Sequence, residues 1–211
     1  MHDHDGHDHP HAPITNGDEP DAAARVRALE ELLVEKGVVS RNDVRRRIDW
    51  LVSRAPADGA RIVARAWVDP AFKERLLADA RSAALELGLD PGPSPVVVAL
   101  ENSDEVHNMV VCTLCSCYPW DVLGLPPVWY KSAPYRSRAV KDPRGVLADF
   151  GVRLPQEMQI RVWDSTAETR FLVLPMRPSG TDGFSQERLA QLVTRNCMIG
   201  TGLPKNPDEV H

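Results

Sequence analysis

Three cysteines lie within six positions of one apolar stretch, and this cluster constrains the fold more than any other feature of the sequence. Cys112, Cys115 and Cys117 occur in V-C-T-L-C-S-C-Y, residues 111–118, and the chain of 211 residues has four cysteines in all. Such clustering is typical of metal or redox chemistry in a reducing compartment and unlike a disulfide framework. We therefore expect a cytoplasmic protein that presents these thiols on a sharp loop.

Helical periodicity predominates in the first part of the chain. The apolar spacing predicts three helices, over 21–36, over a segment that Ser40 caps and Pro56 breaks, and over 69–87. Asp69 caps the last of these, and the Pro-rich segment PGPSP that follows at 91–95 is a predicted hinge.

The second part of the chain changes to strand periodicity. An earlier pair of strands is predicted at 96–100 and 107–112, and a later pair at 159–165 and 169–175. Ser185 caps a final helix that includes Cys197, whose thiol is expected in the core, and residues 203–211 are expected to fray. The predicted fold class is α+β, with a helical arm followed by a layered α/β domain.

Composition divides the chain into three predicted parts. Residues 1–20 are rich in His and Asp and cannot bury an apolar face, so they are predicted to be a disordered tail or, alternatively, a weak metal-gathering tail. Residues 21–90 form the helical arm, and 91–211 form the metal-binding catalytic domain. The net charge of −5 argues against nucleic acid or an anionic membrane as the main partner.

Several kinds of site are compatible with C-x-x-C-x-C. A structural zinc site needs a fourth ligand, for which only His107 and Cys197 are available. An iron–sulfur cluster normally takes four cysteines at other spacings, and a redox C-x-x-C pair leaves Cys117 without a role. A packed loop of unligated thiols is the remaining structural alternative, although it would be prone to oxidation.

The C-S-C tripeptide offers a further possibility, a planar chelate. The sulfurs of Cys115 and Cys117 can flank the backbone nitrogens of Ser116 and Cys117, while Cys112 supplies an axial thiolate and the sixth position stays open. Deprotonated amides and soft thiolates in a square plane suit a small, low-spin ion such as Co(III) or, alternatively, Fe(III). An open position on a Lewis acid is a catalytic arrangement.

The sequence around the cysteines resembles a known family. V-C-T-L-C-S-C-Y-P-W, continuing into VLGLPPVWYKSAPYRSR, is similar to the α subunit of cobalt-type nitrile hydratase, and so are AWVDPAFKERLLADA, RVWDSTAETRFLVLPMRPSGTDGFSQE and LVTRNCMIG. Thr113 resembles the cobalt class, since the iron class usually has serine there. The resemblance implies the family's α-subunit fold and a hydro-lyase that converts nitriles to amides.

The resemblance also implies roles for individual residues. Cys115 would be oxidised to sulfinic acid and Cys117 to sulfenic acid, while Cys112 stays a thiolate and Ser116 contributes its amide nitrogen. The nucleophile would be the sulfenate oxygen of Cys117 or a water that it activates. Trp120 matches the family's substrate-pocket tryptophan, with an aromatic residue of a subunit interface as the alternative.

Three charged residues of WDSTAETR resemble the groups that support the metal site. Asp164, Glu168 and Arg170 would share one face on alternating strand positions, and metal sites usually need such hydrogen-bonding support. A surface ion pair or a contact between subunits is the alternative.

Partners are implied by the resemblance as well. A β subunit, in a heterodimer or heterotetramer, would supply arginines that hydrogen-bond the oxidised sulfurs, so the isolated chain is expected to be inactive. An activator or metallochaperone is implied for maturation, because the insertion of an inert trivalent ion is slow.

Two other functions remain open. The γ subunit of thiocyanate hydrolase, which forms carbonyl sulfide and ammonia, has the same cysteine motif, a His/Asp-rich start and a cysteine that Cys197 matches. Against it, Trp120 replaces a basic residue and Glu168 has no counterpart there. Asp121, where nitrile hydratases usually have proline, would place a carboxylate beside the pocket entrance and oppose an anionic substrate. A non-catalytic metal carrier with a histidine-rich tail is the other alternative.

Overall fold

The computed structural model describes residues 20–89 and 96–210. The predicted hinge at 91–95 and the predicted tail, except for its last position, lie outside these ranges. The helices are α1 Pro20–Glu35, α2 Arg41–Val52, α3 Pro56–Val68, α4 Pro70–Ala78, α5 Ala80–Glu86, α6 Trp120–Leu123, α7 Ala133–Lys141, α8 Pro143–Asp149, α9 Gln186–Leu192 and α10 Arg195–Ile199, with short 3-10 turns at Val128–Lys131 and Pro207–Glu209. No helix within the described ranges is both long enough and apolar enough to cross a membrane.

The strands lie where the sequence predicts them, and the structure shows how they pair. They are β1 Val96–Glu101, β2 Val106–Val111, β3 Gln159–Asp164 and β4 Thr169–Leu174. β1 pairs in parallel with β4, and β2 pairs in parallel with β3. The short turn between β3 and β4 is equally compatible with a hairpin, so the local sequence does not determine which strands pair. The mixed helix and strand content confirms the α+β fold class.

Short polar side chains begin the helices, as predicted. Ser40 accepts a hydrogen bond from the backbone N–H of Asp43 in a reciprocal capping box, and Asp69 accepts one from the N–H of Phe72. Ser185 caps α9 in the same way. The structure confirms these three caps. They could be predicted because each joins two residues three positions apart in the sequence.

Two predicted helices are each divided in the structure, and α3, α6 and α7 were not predicted from the sequence. The predicted helix at 69–87 is interrupted at Asp79, whose carboxylate caps α5 by accepting from the N–H groups of Arg81 and Ser82. The final helix is likewise split, because Thr194 caps α10. Pro56 breaks the preceding helix, as predicted, but it also occupies the first turn of α3, where a missing N–H costs nothing.

Helix α3 lies at the centre of the fold. It packs against α4, α6, α9 and α10, and Ile62 and Val63 are fully buried in the same core as the strands. Cys197 is also buried there, which confirms its predicted core position. The C-terminal segment does not fray as predicted, because Val210 is buried and its carbonyl accepts a hydrogen bond from Arg188.

Helices α1 and α2 differ from the rest of the fold in their exposure. α2 has no buried residue, and Val26 and Ile48 are 65% and 51% exposed. Helices α3 to α5 instead share the core with β1, β2 and β4. The division into an arm at 21–90 and a catalytic domain at 91–211 stays a prediction.

Candidate metal centre

The cysteine loop begins where two parallel strands end side by side. Val111 of β2 and Asp164 of β3 are the last pair in register, and the N–H of Ser165 donates to the carbonyl of Val111 at 2.7 Å. The chain then leaves the sheet at Cys112 and runs to α6, which starts at Trp120. The carboxyl ends of parallel strands are a common place for binding sites, because several loops converge there.

The three sulfurs converge in the structure, as the sequence predicts. Cys112 Sγ lies 3.4 Å from Cys115 Sγ, which lies 3.2 Å from Cys117 Sγ, and all three fall within 4.8 Å of one another. The backbone N–H of Cys115 also donates to Cys112 Sγ at 3.2 Å. Cys112 is buried, Cys117 is half-buried and Cys115 is exposed. The thiols therefore form a group that could hold one metal ion.

The environment makes these thiols chemically unequal. Hydrogen bonds from Cys117 and Cys112 lower the pKa of Cys115 to about 7, and the backbone amides of Ser116 and Cys117 act in the same direction. Burial raises the pKa of Cys117 to about 12, and the neighbouring thiols add to this effect, while the positive charge of Arg170 opposes it. Cys115 therefore forms a thiolate more readily than Cys117 does.

The donor set fits a metal ion held by sulfur. The three sulfurs fall within 4.8 Å of one another, and the backbone amides of Ser116 and Cys117 are close enough to the Cys115 thiol to lower its pKa. Neither candidate for a fourth zinc ligand is in this group. Nε2 of His107 lies 2.7 Å from the carbonyl oxygen of Gly200, and Cys197 Sγ donates to Thr194.

Asp164 ties the loop to the end of β3. Its Oδ1 accepts a hydrogen bond of 2.9 Å from the backbone N–H of Thr113, and its Oδ2 accepts one from the Thr113 hydroxyl. This contact continues the β2–β3 ladder one residue beyond the strands through a side chain. Asp164 therefore restrains the backbone between the first two cysteines.

The other two charged residues take different positions. Glu168 stays in the turn before β4, where it accepts a hydrogen bond of 3.0 Å from the Thr166 hydroxyl. Arg170 lies near Cys117, and its Nε and Nη1 are buried with no hydrogen-bond partner among the residues that the structure describes. The structure thus brings Asp164 and Arg170 to the loop but leaves Glu168 in a local contact.

Trp120 stands at the start of α6, directly after the cysteine loop. It is half-buried and meets Trp50 of α2 edge to face, with ring centroids 5.2 Å apart. Asp121 is 1% exposed. The first turn of α6 directs this residue into the protein, and its position beside a pocket entrance stays a prediction.

Two residues that hold the loop were not singled out from the sequence. Tyr130 donates its hydroxyl proton to the carbonyl of Cys117 at 2.8 Å, and Arg136 donates to the carbonyl of Thr113 at 3.4 Å. Both lie in GLPPVWYKSAPYRSR, just beyond the cysteines. The aromatic and basic residues that follow the prolines of this segment were the sequence feature that could have indicated these contacts with the loop.

The fold and the loop together define a class. This is an α+β protein in which a three-cysteine loop suited to a metal ion starts at the carboxyl ends of two parallel strands. Residues 20–202 match the family described as nitrile hydratase, alpha chain. The chain belongs to this family, which confirms the resemblance seen in the sequence.

Individual relatives agree with this assignment. The chain is 55% identical over 188 residues to the low-molecular-weight cobalt-containing nitrile hydratase subunit alpha of Rhodococcus rhodochrous, covering 89% of this chain and 91% of that one. It is 44% identical to thiocyanate hydrolase subunit gamma of Thiobacillus thioparus, covering 84% and 78%. A solved double mutant of the Fe-type nitrile hydratase from Comamonas testosteroni Ni1 superposes with a TM-score of 0.83 at 41% identity, covering 90% and 94%.

Proposed function

We propose that this chain is the α subunit of a cobalt nitrile hydratase and hydrates nitriles to amides together with a β subunit. The observation that carries the proposal is the convergence of three sulfurs on one loop, in a chain 55% identical to a cobalt-containing relative. The backbone nitrogens of Ser116 and Cys117, which lie beside these sulfurs along the chain, would complete the donor set. Zinc sites rarely use amide nitrogen, whereas trivalent cobalt or iron suits this donor set.

Four residues would hold the ion. Cys112, Cys115 and Cys117 would contribute sulfur, and Ser116 and Cys117 would contribute backbone nitrogen. Bound Co(III) would supply a Lewis acid that polarises the nitrile. Fe(III) remains the alternative, because an Fe-type relative shares the fold. Thr113 and the cobalt-containing relative favour cobalt.

The exposure of the thiols supports the proposed oxidation pattern. Cys115, the most exposed of the three, would carry the sulfinic acid, and half-buried Cys117 would carry the sulfenic acid. Buried Cys112 would stay a thiolate. Oxidation follows access as well as thiolate character, so this order of exposure matches the order of oxidation.

The remaining residues would orient the reactants. The oxygen on Cys117 would either attack the nitrile carbon or take a proton from the water that attacks it. Arg170 lies near this position with buried, unpartnered nitrogens, and its charge would hold that oxygen as an anion. Asp164 restrains the loop, and Trp120 would form a flat wall of the substrate pocket.

A partner would complete the site. Leu114 and Cys115 lie exposed on the metal loop, and Leu114 is 89% exposed. Oxidised sulfurs in a water-excluding site need donors, and we propose that arginines of the β subunit supply them. The isolated chain would then be inactive. An activator that inserts cobalt and a cytoplasmic location remain predictions.

Thiocyanate hydrolysis is the second candidate, and one observation favours it. Asp121 is buried, and the guanidinium carbon of Arg47 lies 4.8 Å from the ring centroid of Trp120. A cation therefore lies against the Trp120 ring, which suits an anionic substrate. The identity of 55% against 44% still favours nitriles.

The test is co-expression with a β-type subunit in cobalt medium. Acetonitrile, benzonitrile and thiocyanate are then assayed side by side, and we expect amide from at least one nitrile with nearly stoichiometric cobalt. The Cys112→Ala variant should lose both cobalt and activity, while Cys197→Ala, which removes a thiol outside the cluster, should keep them. Carbonyl sulfide from thiocyanate without amide from either nitrile would reverse the ranking.

A deletion of residues 2–11 separates the enzyme from the carrier alternative. An enzyme keeps its cobalt without the tail, because the ion is held by the cysteine loop. Loss of cobalt with the tail, together with no effect of Cys112→Ala, would indicate a metal carrier.

A further inference from the structure

Helix α2 contacts the start of α6 through a stack of rings and guanidinium groups. Trp50 meets Trp120 at an interplanar angle of 88° and a centroid distance of 5.2 Å. The guanidinium carbon of Arg47 lies 4.1 Å from the Trp50 ring centroid and 4.8 Å from that of Trp120. One cation therefore contacts both rings. Arg54 lies 4.7 Å from the Trp50 centroid and extends the stack.

A second, backbone contact fixes the same two elements against each other. Gly124 ends α6 with φ +68°, and a Cβ at this position would lie 2.4 Å from the carbonyl oxygen of Arg54. The chain just after α2 therefore runs directly against the last residue of the α6 turn. The ring stack and the glycine contact lie at the two ends of α6, so both ends of this short helix are held by the segment that contains α2.

Helix α6 depends on such neighbours for its orientation. It comprises only the four residues Trp120–Leu123, and a single helical turn has little stability of its own. α2 has no buried residue and Trp50 is only half-buried, and the stack with Trp120 is one contact that holds α2 against the rest of the chain. Order in α2 and the orientation of Trp120 are thus coupled.

We propose that Trp50 and Arg47 are positioning residues for Trp120 and thereby determine the affinity for nitriles that carry an aromatic ring. This inference rests on the proposed function, in which Trp120 lines the substrate pocket. Trp50 holds the indole of Trp120 edge to face, and the guanidinium group of Arg47 contacts the π faces of both Trp50 and Trp120. An aromatic substrate needs a wall at a defined angle, whereas acetonitrile is too small to stack on it.

The size of the effect follows from the strength of aromatic pairs. An edge-to-face pair contributes enough that its loss weakens ring binding about three- to ten-fold. The wall holds substrate and transition state alike, so its displacement raises KM and leaves kcat nearly unchanged. Truncation of Trp50 should therefore change the KM for benzonitrile and not the KM for acetonitrile.

The kinetic test uses the cobalt-loaded complex with its β subunit. We expect Trp50→Ala and Arg47→Ala to raise the KM for benzonitrile about three- to ten-fold with unchanged kcat and cobalt content. Trp50→Phe keeps an aromatic edge and should restore most of the affinity. Arg45→Ala, at an exposed arginine of the same helix, is the matched control for charge. Equal changes for both nitriles, or no change for either, would overturn the proposal.

A spectroscopic test on the full chain does not depend on activity. Two indoles 5.2 Å apart should give an exciton signal in the far-ultraviolet circular dichroism spectrum. Trp50→Phe and Trp120→Phe should remove the same signal, and the double variant should remove no more. If Trp50→Phe leaves the exciton signal unchanged, the two indoles are not in contact and the positioning role is refuted, even where Trp50→Ala does not assemble. If the wild-type complex hydrates no nitrile, both the proposed function and the role of Trp50 in nitrile affinity fail. The circular dichroism spectrum still decides whether Trp50 contacts Trp120.

Discussion

Removal of the Asp164 carboxylate should loosen the cysteine loop without unfolding the protein. This carboxylate accepts hydrogen bonds from the N–H and the hydroxyl of Thr113, the residue that directly follows Cys112. In Asp164→Ala both acceptors are lost. The three sulfurs must then be brought together from a more mobile loop, so the cost should appear in metal binding.

The expected magnitude follows from these two hydrogen bonds. A bond to a charged group contributes about 1.5–3 kcal/mol in a buried setting, but Asp164 is exposed, and solvent reduces this value. About 1–2 kcal/mol for the pair corresponds to a 5- to 30-fold weaker affinity for metal. Asp164→Asn keeps one acceptor for the Thr113 amide and should lie between the wild type and the alanine variant.

The assay is an anaerobic titration of the reduced chain with Co²⁺, followed by the thiolate-to-cobalt charge-transfer absorption. Glu168→Ala is the matched control, because Glu168 is a carboxylate from the same segment whose contact is the Thr166 hydroxyl. Its dissociation constant should stay within about twofold of wild type, as for surface substitutions generally. If both variants weaken binding equally, or neither does, the support that we assign to the Asp164–Thr113 contact is refuted.

Two further predictions concern the strand that leads to the metal loop. Gly200→Ala should destabilise the fold by about 2–5 kcal/mol in urea unfolding, because φ is +82° and the new Cβ would lie 1.9 Å from the carbonyl oxygen of Asn108. Gly180→Ala is the control, since φ is +75° there but the space around it is open, and it should cost only about 1–2 kcal/mol. A Gly200→Ala cost no larger than that of Gly180→Ala would contradict the close packing. Burial lowers the pKa of His107 from its ordinary value of 6.5, and the carbonyl of Gly200 opposes this only in part, so folding disfavours the protonated ring and stability should fall as the pH drops below about 6.5. His107→Gln should be less stable at neutral pH but lose less stability on acidification, and an unchanged pH slope would contradict the assignment.

Local chemistry accounts for the parts of this protein that the sequence predicts well. The caps at Ser40, Asp69 and Ser185 each join residues three positions apart. The convergence of Cys112, Cys115 and Cys117 is of the same kind, because a loop of six residues leaves the sulfurs few ways to stay apart. Such features depend on short-range geometry, which a sequence contains directly.

Long-range packing decided the rest. Nothing local in β3 and β4 distinguishes a hairpin from two parallel pairings with distant strands, and the choice depends on how the whole core is filled. The same packing brings Arg170 to Cys117 while Glu168 stays in its turn, and it places Trp50 of an exposed helix against Trp120. The sequence by itself therefore determined the donor atoms of the metal loop, because they are neighbours along the chain. The tertiary structure alone determined which distant side chains surround that loop, because their contacts arise only when the chain has folded.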